Sequence, residues 1–276
     1  MKVDAHNHFW NYDAVKHSWI DGSMTAIQQS FLPEEFGKIL NENGIDGCVA
    51  VQVEQNLEEN DYLLALADKH SFIKAVVGWV DLRADDLDEQ LRKFSQHQKL
   101  KGFRHIAQAE ANDFLSAKAI KNGVAKLAEY NFTFDILVFP QQLPAAIDLV
   151  KSCPNQKFVL DHLAKPYIKA GEINQWKKDI TELSKYENIY CKISGMVTEA
   201  DWQNWKPVDF IPYIEVSFEA FGAQRLMFGS DWPVCLLAAD YQEVKNILST
   251  YINTLSLTEQ NQFWGNNAVE FYGINN

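Results

Sequence analysis

One pattern recurs along the chain. A short run of β-branched and aromatic residues gives way to a polar turn, then to a stretch with apolar residues at helical spacing. The strand-like runs fall at residues 3–9, 47–53, 75–82, 100–106, 132–139, 157–163, 189–194 and 226–231. Most are separated by about 25–35 residues, enough for one crossover helix each. Pro33-Glu34-Glu35-Phe36 opens the first helix, with proline and acids in its first turn, and Asn43-Gly44 ends it. Apolar faces follow at Leu63, Leu64, Leu66 and Ala67; at Leu87, Leu91 and Phe94; and at Ala119, Val124, Leu127 and Ala128. Ile147, Leu149 and Val150 mark a fifth helix, and Trp176, Ile180 and Leu183 a sixth. Residues 241–251 form another, and one more begins near Leu257.

Eight strands alternating with helices predict a parallel, closed (β/α)8 TIM barrel. An open doubly wound sheet would normally carry a glycine-rich phosphate loop after an early strand, and this chain has none. No linker or low-complexity segment divides the sequence, so residues 1–276 are expected to form one domain. The first connection, 10–32, stands apart as a long, polar and aromatic segment with Tyr12, His17, Trp19 and Met24. Such loops at the catalytic end of a barrel form lids or substrate walls.

Composition narrows the function. Of 276 residues, 47% are hydrophobic and 22% charged, as in ordinary globular chains. A net charge of -12 argues against nucleic acid as a partner, which calls for a basic stripe. No stretch approaches the roughly 18 apolar residues of a membrane helix. Asp4, His6 and His8 interrupt any apolar signal segment at the N-terminus. Cys48, Cys153, Cys191 and Cys235 form no CxxC pair, and a reduced, cytoplasmic setting is expected. Oligomeric state is not written in the pattern, which leaves a homo-oligomer open.

The chemistry sits where strands end. Strand side chains alternate, so His6 and His8 share a face, as half of a divalent-metal site or a polar wall for a substrate. Arg104 or His105 closes strand 4; they point opposite ways, and Arg104 is the one expected to face the barrel. His162 closes strand 6 and Asp231 strand 8. In a barrel these ends converge on one pocket. Imidazoles, a guanidinium and a carboxylate suit hydrolysis, with water activated by the acid or a metal and the carbonyl polarised by the cations or imidazoles. His17, His70 and His97 lie in loops or helices and read as structural.

The ordered set resembles the amidohydrolase superfamily, and within it the sugar-lactone hydrolase branch, the amidohydrolase 2 family. The resemblance spans essentially the whole chain. It rests on Asp4-Ala5-His6-Asn7-His8-Phe9-Trp10, Val51-Gln52-Val53, Asn60-Asp61-Tyr62, Gly102-Phe103-Arg104-His105 and Asp161-His162-Leu163-Ala164-Lys165-Pro166. Cys191-Lys192-Ile193-Ser194-Gly195-Met196 and Gly229-Ser230-Asp231-Trp232-Pro233 complete it. The branch includes lactonases acting on L-fucono-, L-rhamnono- and 2-pyrone-4,6-dicarboxylate lactones.

The resemblance implies a hydrolase that opens a 1,4- or 1,5-lactone of an aldonic acid such as L-fuconate or L-rhamnonate. Asp231 would be the general base, with His162 and Arg104 acting on the carbonyl and Gln52, Trp79, Lys165 and Trp232 lining the substrate. His6 and His8, with His162 or Asp231, would hold a metal. Binuclear members add a carboxylated lysine at strand 4 and a histidine at strand 5. Strand 4 here reads Phe103-Arg104-His105, and strand 5 has no histidine. One divalent ion, zinc, or none is therefore expected, and not two. A zinc-dependent decarboxylase is the alternative, although that reaction usually draws on the missing strand-5 histidine. A non-catalytic sugar-acid binder on the same scaffold would have no need of Asp231.

Overall fold

The computed structural model describes residues 1–275. Eight strands alternate with helices: β1 (Val3–Asn7), β2 (Gly47–Val51), β3 (Ile73–Gly78), β4 (Leu100–His105), β5 (Thr133–Ile136), β6 (Phe158–Leu160), β7 (Ile189–Ile193) and β8 (Leu226–Phe228). They pair in sequence order, every pair parallel. The (β/α)8 barrel predicted by the pattern is the observed fold, with each strand at its expected place.

Beside the strands lie α1 (Pro33–Glu42), α2 (Leu57–Lys69), α3 (Leu87–Phe94), α4 (Lys118–Glu129), α5 (Leu143–Ser152), α6 (Asn174–Leu183), α7 (Pro207–Phe221) and α8 (Tyr241–Ile252). Two short helices follow, α9 (Leu257–Asn261) and α10 (Asn267–Tyr272). No helix among the described residues is long and apolar enough to cross a membrane.

Two corrections to the sequence reading have physical causes. The periodicity gives no helix between β7 and β8, where α7 lies. That segment is apolar on most sides and carries Pro212 inside it, so no single face stands out. The strands also stop short of their apolar runs. After β6 the chain turns at Asp161–Ala164, and four consecutive residues, His162 to Lys165, adopt positive φ of 50–58°. Leu163 and Ala164 are buried in this turn, which makes it look like strand in the sequence.

The barrel is closed by the segment beyond β8. Asn7 bridges Trp232, the His8 amide donates to the Trp232 carbonyl at 2.8 Å, and the Asp231 amide donates to the His6 carbonyl at 2.9 Å. Closure thus sets the strand-8 carboxylate beside the strand-1 imidazoles. Val3, Ala5, Val49, Val51, Ala75, Val77, Val159 and Met227 pack as an inner cluster, joined by Phe271 and Tyr272 of α10. A register shift between Asp4 and Asn7 lets Ala5 join this cluster while the next residue, His6, also turns inward.

The loop after β2 is pinned from α2. The Val53 amide donates to Glu59 Oε1 at 2.9 Å, and the Glu59 amide donates to Asn56 Oδ1 at 2.8 Å. Burial, with the nearby Glu54 charge adding to it, pushes the Glu59 carboxyl up to about 7. A carboxyl raised in the fold costs stability as pH climbs from the unfolded value, about 4.5, through 7. Glu59→Gln keeps the acceptor oxygen and removes that cost. Thermal melts should show Tm higher by roughly 3–6 °C near pH 8 and little changed near pH 5. An equal shift at both pH values would mean that ionisation of Glu59 is not what strains the loop.

Candidate active site

The C-terminal mouth of the barrel holds a cavity of about 350 Å³ lined by His8, Arg104, His162, Lys165 and Asp231, with Trp10, Trp19, Val53, Gln55, Gln108 and Leu137 among its walls. A larger groove of about 640 Å³ runs past Pro140, Tyr167 and Trp176 on the outer helices, but no histidine, lysine or arginine lines it. The chemistry belongs to the smaller cavity.

Three imidazoles surround one carboxylate there. Asp231 Oδ1 lies 3.4 Å from His8 Nε2, 3.8 Å from His6 Nε2 and 3.8 Å from His162 Nε2. The two strand-1 rings approach with their Nε2 atoms 3.2 Å apart. Each ring is steered from its other nitrogen. His8 Nδ1 meets the Val51 carbonyl at 2.8 Å, which places its proton there and leaves Nε2 a lone pair. His162 Nδ1 meets Ser194 Oγ at 2.8 Å.

Burial pushes His6 well below its ordinary value, and the Lys192 and Arg104 charges push it further. Burial does the same to His162, against the pull of Asp231. Both rings are therefore neutral. Burial alone would raise the Asp231 carboxyl, but the His162 and His8 rings, with Lys165 beyond them, outweigh it and hold Asp231 below the ordinary carboxylate range.

Beneath this layer lies a second one, of charge. Lys192 of β7 and Asp135 of β5 are wholly buried and meet at 2.5 Å; Lys192 is also 3.0 Å from Asp161 Oδ1 and 3.2 Å from His6 Nδ1. Arg104 Nη1 stands 3.4 Å from Asp161 Oδ2 and 3.2 Å from His6 Nε2, and its Nη2 donates to the Gln52 carbonyl. Tyr272 Oη donates to Asp135 Oδ2 at 2.8 Å. Burial pushes the Asp135 carboxyl up to about 6 even against Lys192, whereas Lys192 and Arg104 overcome burial at Asp161 and hold it low.

Among the expected site residues, His6, His8, Arg104, His162, Lys165 and Asp231 come together. Arg104 turns inward. His105 turns outward to Glu110 at 3.0 Å and stacks on Phe114. Three substrate-lining expectations fail on position. Trp232 is wholly buried, stacked on Phe36 at 4.5 Å between ring centres and packed against Phe9 and Phe31. The positive φ of Asp231, 59°, turns the chain so that the acid faces the cavity and the indole the core. Trp79 lies outside the cavity, its Nε1 donating to His105 Nδ1 at 3.4 Å. Gln52 is wholly buried and donates through Nε2 to the Arg104 carbonyl at 3.1 Å, so it holds the arginine.

Trp10, Gln55 and Gln108 on the wall, and Lys192, Asp135 and Asp161 below it, went unassigned. For Lys192 and Asp135 a signal existed, since each is a charged residue set inside an otherwise apolar strand. The 10–32 loop does supply a wall, through Trp10 and Trp19.

The donor atoms can be tested against a metal. A tetrahedral ion with bonds of roughly 2.1 Å spaces its ligands by about 3.4 Å. His6 Nε2, His8 Nε2 and Asp231 Oδ1 are 3.2–3.8 Å apart, and His162 Nε2 is 3.8 Å from Asp231. Imidazole nitrogens and a carboxylate oxygen at these spacings fit a divalent cation. A second set, His6, Asp161 and His162, also has its donor atoms within 4.8 Å of one another.

A parallel barrel that gathers imidazoles and one free carboxylate at its C-terminal mouth is the architecture of a barrel enzyme. The chain belongs to the amidohydrolase family, whose model matches residues 3–274. It is 36% identical to an L-fucono-1,5-lactonase of Burkholderia multivorans, over 99% of this chain and 96% of that one. An L-fucono-1,5-lactonase of Burkholderia ambifaria is 32% identical, over 99% of this chain and 96% of that one. The crystal structure of an amidohydrolase from Burkholderia multivorans with bound zinc superposes with a TM-score of 0.95 at 36% identity, over 100% of both chains.

Gly195 fixes the His162 ring from behind. Its φ is +60°, and a Cβ there would sit 2.6 Å from His162 Nδ1. Gly195→Ala should displace the ring from Ser194 and Asp231. The expected outcome is a fall in kcat/KM of roughly a hundredfold with Tm lower by only a few degrees. Wild-type kcat/KM in a folded variant would show that the ring tolerates the displacement.

Proposed function

We propose that the protein hydrolyses a sugar-acid lactone to the open hydroxy acid, with Asp231 as general base. The observation that carries the reading is the state of Asp231. It is the one carboxylate lining the cavity among the described residues, and its ion-pair neighbours within 4 Å are imidazoles only. Asp135 and Asp161, by contrast, are engaged by Lys192 or Arg104.

In this mechanism Asp231 accepts a proton from a water placed against it, and the water oxygen attacks the lactone carbonyl. The Arg104 guanidinium donates to the carbonyl oxygen as negative charge builds on it, and the His8 and His162 rings orient the substrate beside it. The acyl carbon–ring oxygen bond then breaks. The proton held by Asp231 passes to the departing ring oxygen, and the product is a hydroxy acid whose new carboxyl group then ionises by releasing its remaining proton to water. Lys165, 3.5 Å from Glu199 at the rim, supplies a cation for that carboxylate. A divalent cation held by His6, His8, Asp231 and His162 would polarise the carbonyl when bound. We read the site as taking at most one such ion, zinc, because no lysine or histidine on β4 or β5 faces it.

The wall supports a six-carbon lactone with a deoxy end, such as L-fucono- or L-rhamnonolactone. Trp10, Trp19, Val53 and Leu137 offer an apolar face, and Gln55 and Gln108 offer polar groups to hydroxyls. The names of the two lactonase relatives point to the same class. Decarboxylation finds no support, because the inward position of β5 is Asp135, already engaged by Lys192 and Tyr272. The four cysteines are free and buried, which supports a reducing, cytoplasmic setting.

Asp231→Asn keeps the shape and removes the proton acceptor. With a panel of fucono-, rhamnono-, galactono-, arabino- and gluconolactones, kcat should fall by about a hundredfold or more while the melt stays near wild type. A folded variant with near-normal kcat would remove Asp231 from the mechanism. A wild-type protein inactive on the whole panel would remove the lactone.

A further inference from the structure

The two donor sets at the mouth share His6, but they differ in what already occupies them. In the set of His6, Asp161 and His162 the place of a cation is taken. Lys192 Nζ stands 3.0 Å from Asp161 Oδ1 and 3.2 Å from His6 Nδ1, and Arg104 Nη1 stands 3.4 Å from Asp161 Oδ2. Lys192 is anchored in turn at 2.5 Å by Asp135, and none of Lys192, Asp135 and Asp161 is exposed.

We propose that Lys192 is a built-in cation that replaces a metal ion in the second set and sets how strongly the first set binds one. The ammonium offsets Asp135 and Asp161 with no metal present. His6 is therefore held in place whether or not an ion is bound. The same charge lies one imidazole away from the first set. In a buried medium of low polarity it opposes a divalent ion there far more than it would in water. Lys192 is a positioning residue, since it lines neither the cavity nor its rim and acts through His6. The inference concerns charge at the mouth and does not depend on which substrate the cavity takes.

The test reads metal affinity without turnover. Chelator-stripped protein is titrated with Co²⁺ near pH 8, followed by the visible absorption of the bound ion and by calorimetry. Lys192→Met removes the opposing charge and should tighten Co²⁺ binding at least about tenfold. Asp135→Asn leaves Lys192 less offset and should weaken it at least about threefold. The double variant keeps the charge sum and should return close to wild type. Loss of packing alone would move both single variants toward weaker binding, so opposite signs separate electrostatics from damage. If Lys192→Met does not fold, Asp135→Asn and the double variant still decide. Wild type that binds no Co²⁺ while Lys192→Met binds it would support the inference. Two ions per wild-type chain, Lys192→Met within threefold of wild type, Asp135→Asn binding as tightly as wild type or tighter, or no binding by either Lys192 variant would overturn it.

Discussion

The ion pair between Lys192 and Asp135 is the contact on which the site rests. Both groups are wholly buried inside the barrel, and they meet at 2.5 Å. Removing one partner of such a pair strands the other in a medium that cannot solvate it, a loss of about 3–5 kcal/mol in comparable cases. Here the pair is also a base plate. Tyr272 of α10 grips Asp135 from below, and Lys192 reaches up to Asp161 and His6. The end of the chain is thereby tied to the ring at the centre of the mouth. Two of the cations, Lys192 and Arg104, are taken up by the two lower acids, which leaves Asp231 with only imidazoles within ion-pair distance. In the proposed mechanism, that division of charge is what leaves a base free to take a proton from water.

Above the base plate, backbone strain does the aiming. Four successive residues with side chains, His162 to Lys165, adopt left-handed φ values that usually occur singly. Such a turn costs roughly 1–2 kcal/mol per residue and persists only where its surroundings insist on it. Those surroundings are visible. Trp176 Nε1 donates to the Leu163 carbonyl at 2.7 Å, Ser194 meets His162 Nδ1, and Gly195 leaves room for the ring. The turn puts His162 and Lys165 on one cavity wall, which an extended strand would not do. Asp231 repeats the device at the end of β8, where its own positive φ separates the acid from Trp232.

The barrel was legible because its evidence is spread over eight repeats of one pattern, so a misplaced end does no harm. The histidine pair was legible from spacing, and Arg104 over His105 from strand parity. The failures fall where parity stops applying. Trp232 follows Asp231 outside any ladder, and the turn between them sends the indole into Phe36. Gln52 carries the right chemistry at the right strand end but serves Arg104. Trp79 sits on a strand end whose loop faces His105 and not the cavity. Lys192 and Asp135 were present as charged residues inside apolar strands. A charge among apolar neighbours has no partner within its own segment, and the meeting of β5 and β7 side chains past the intervening β6 is information that only the closed fold supplies.

The central claim is that water, deprotonated at Asp231, adds to the carbonyl carbon of a lactone. Isotope tracing reads that bond directly. L-Fucono-1,5-lactone is turned over in water enriched in ¹⁸O, fast enough to outrun spontaneous opening, and the product is analysed by mass spectrometry. Hydrolysis at Asp231 places one ¹⁸O atom in the new carboxylate and none in the ring-derived hydroxyl. Label in that hydroxyl, an isomerised lactone without label, or release of carbon dioxide would each contradict it.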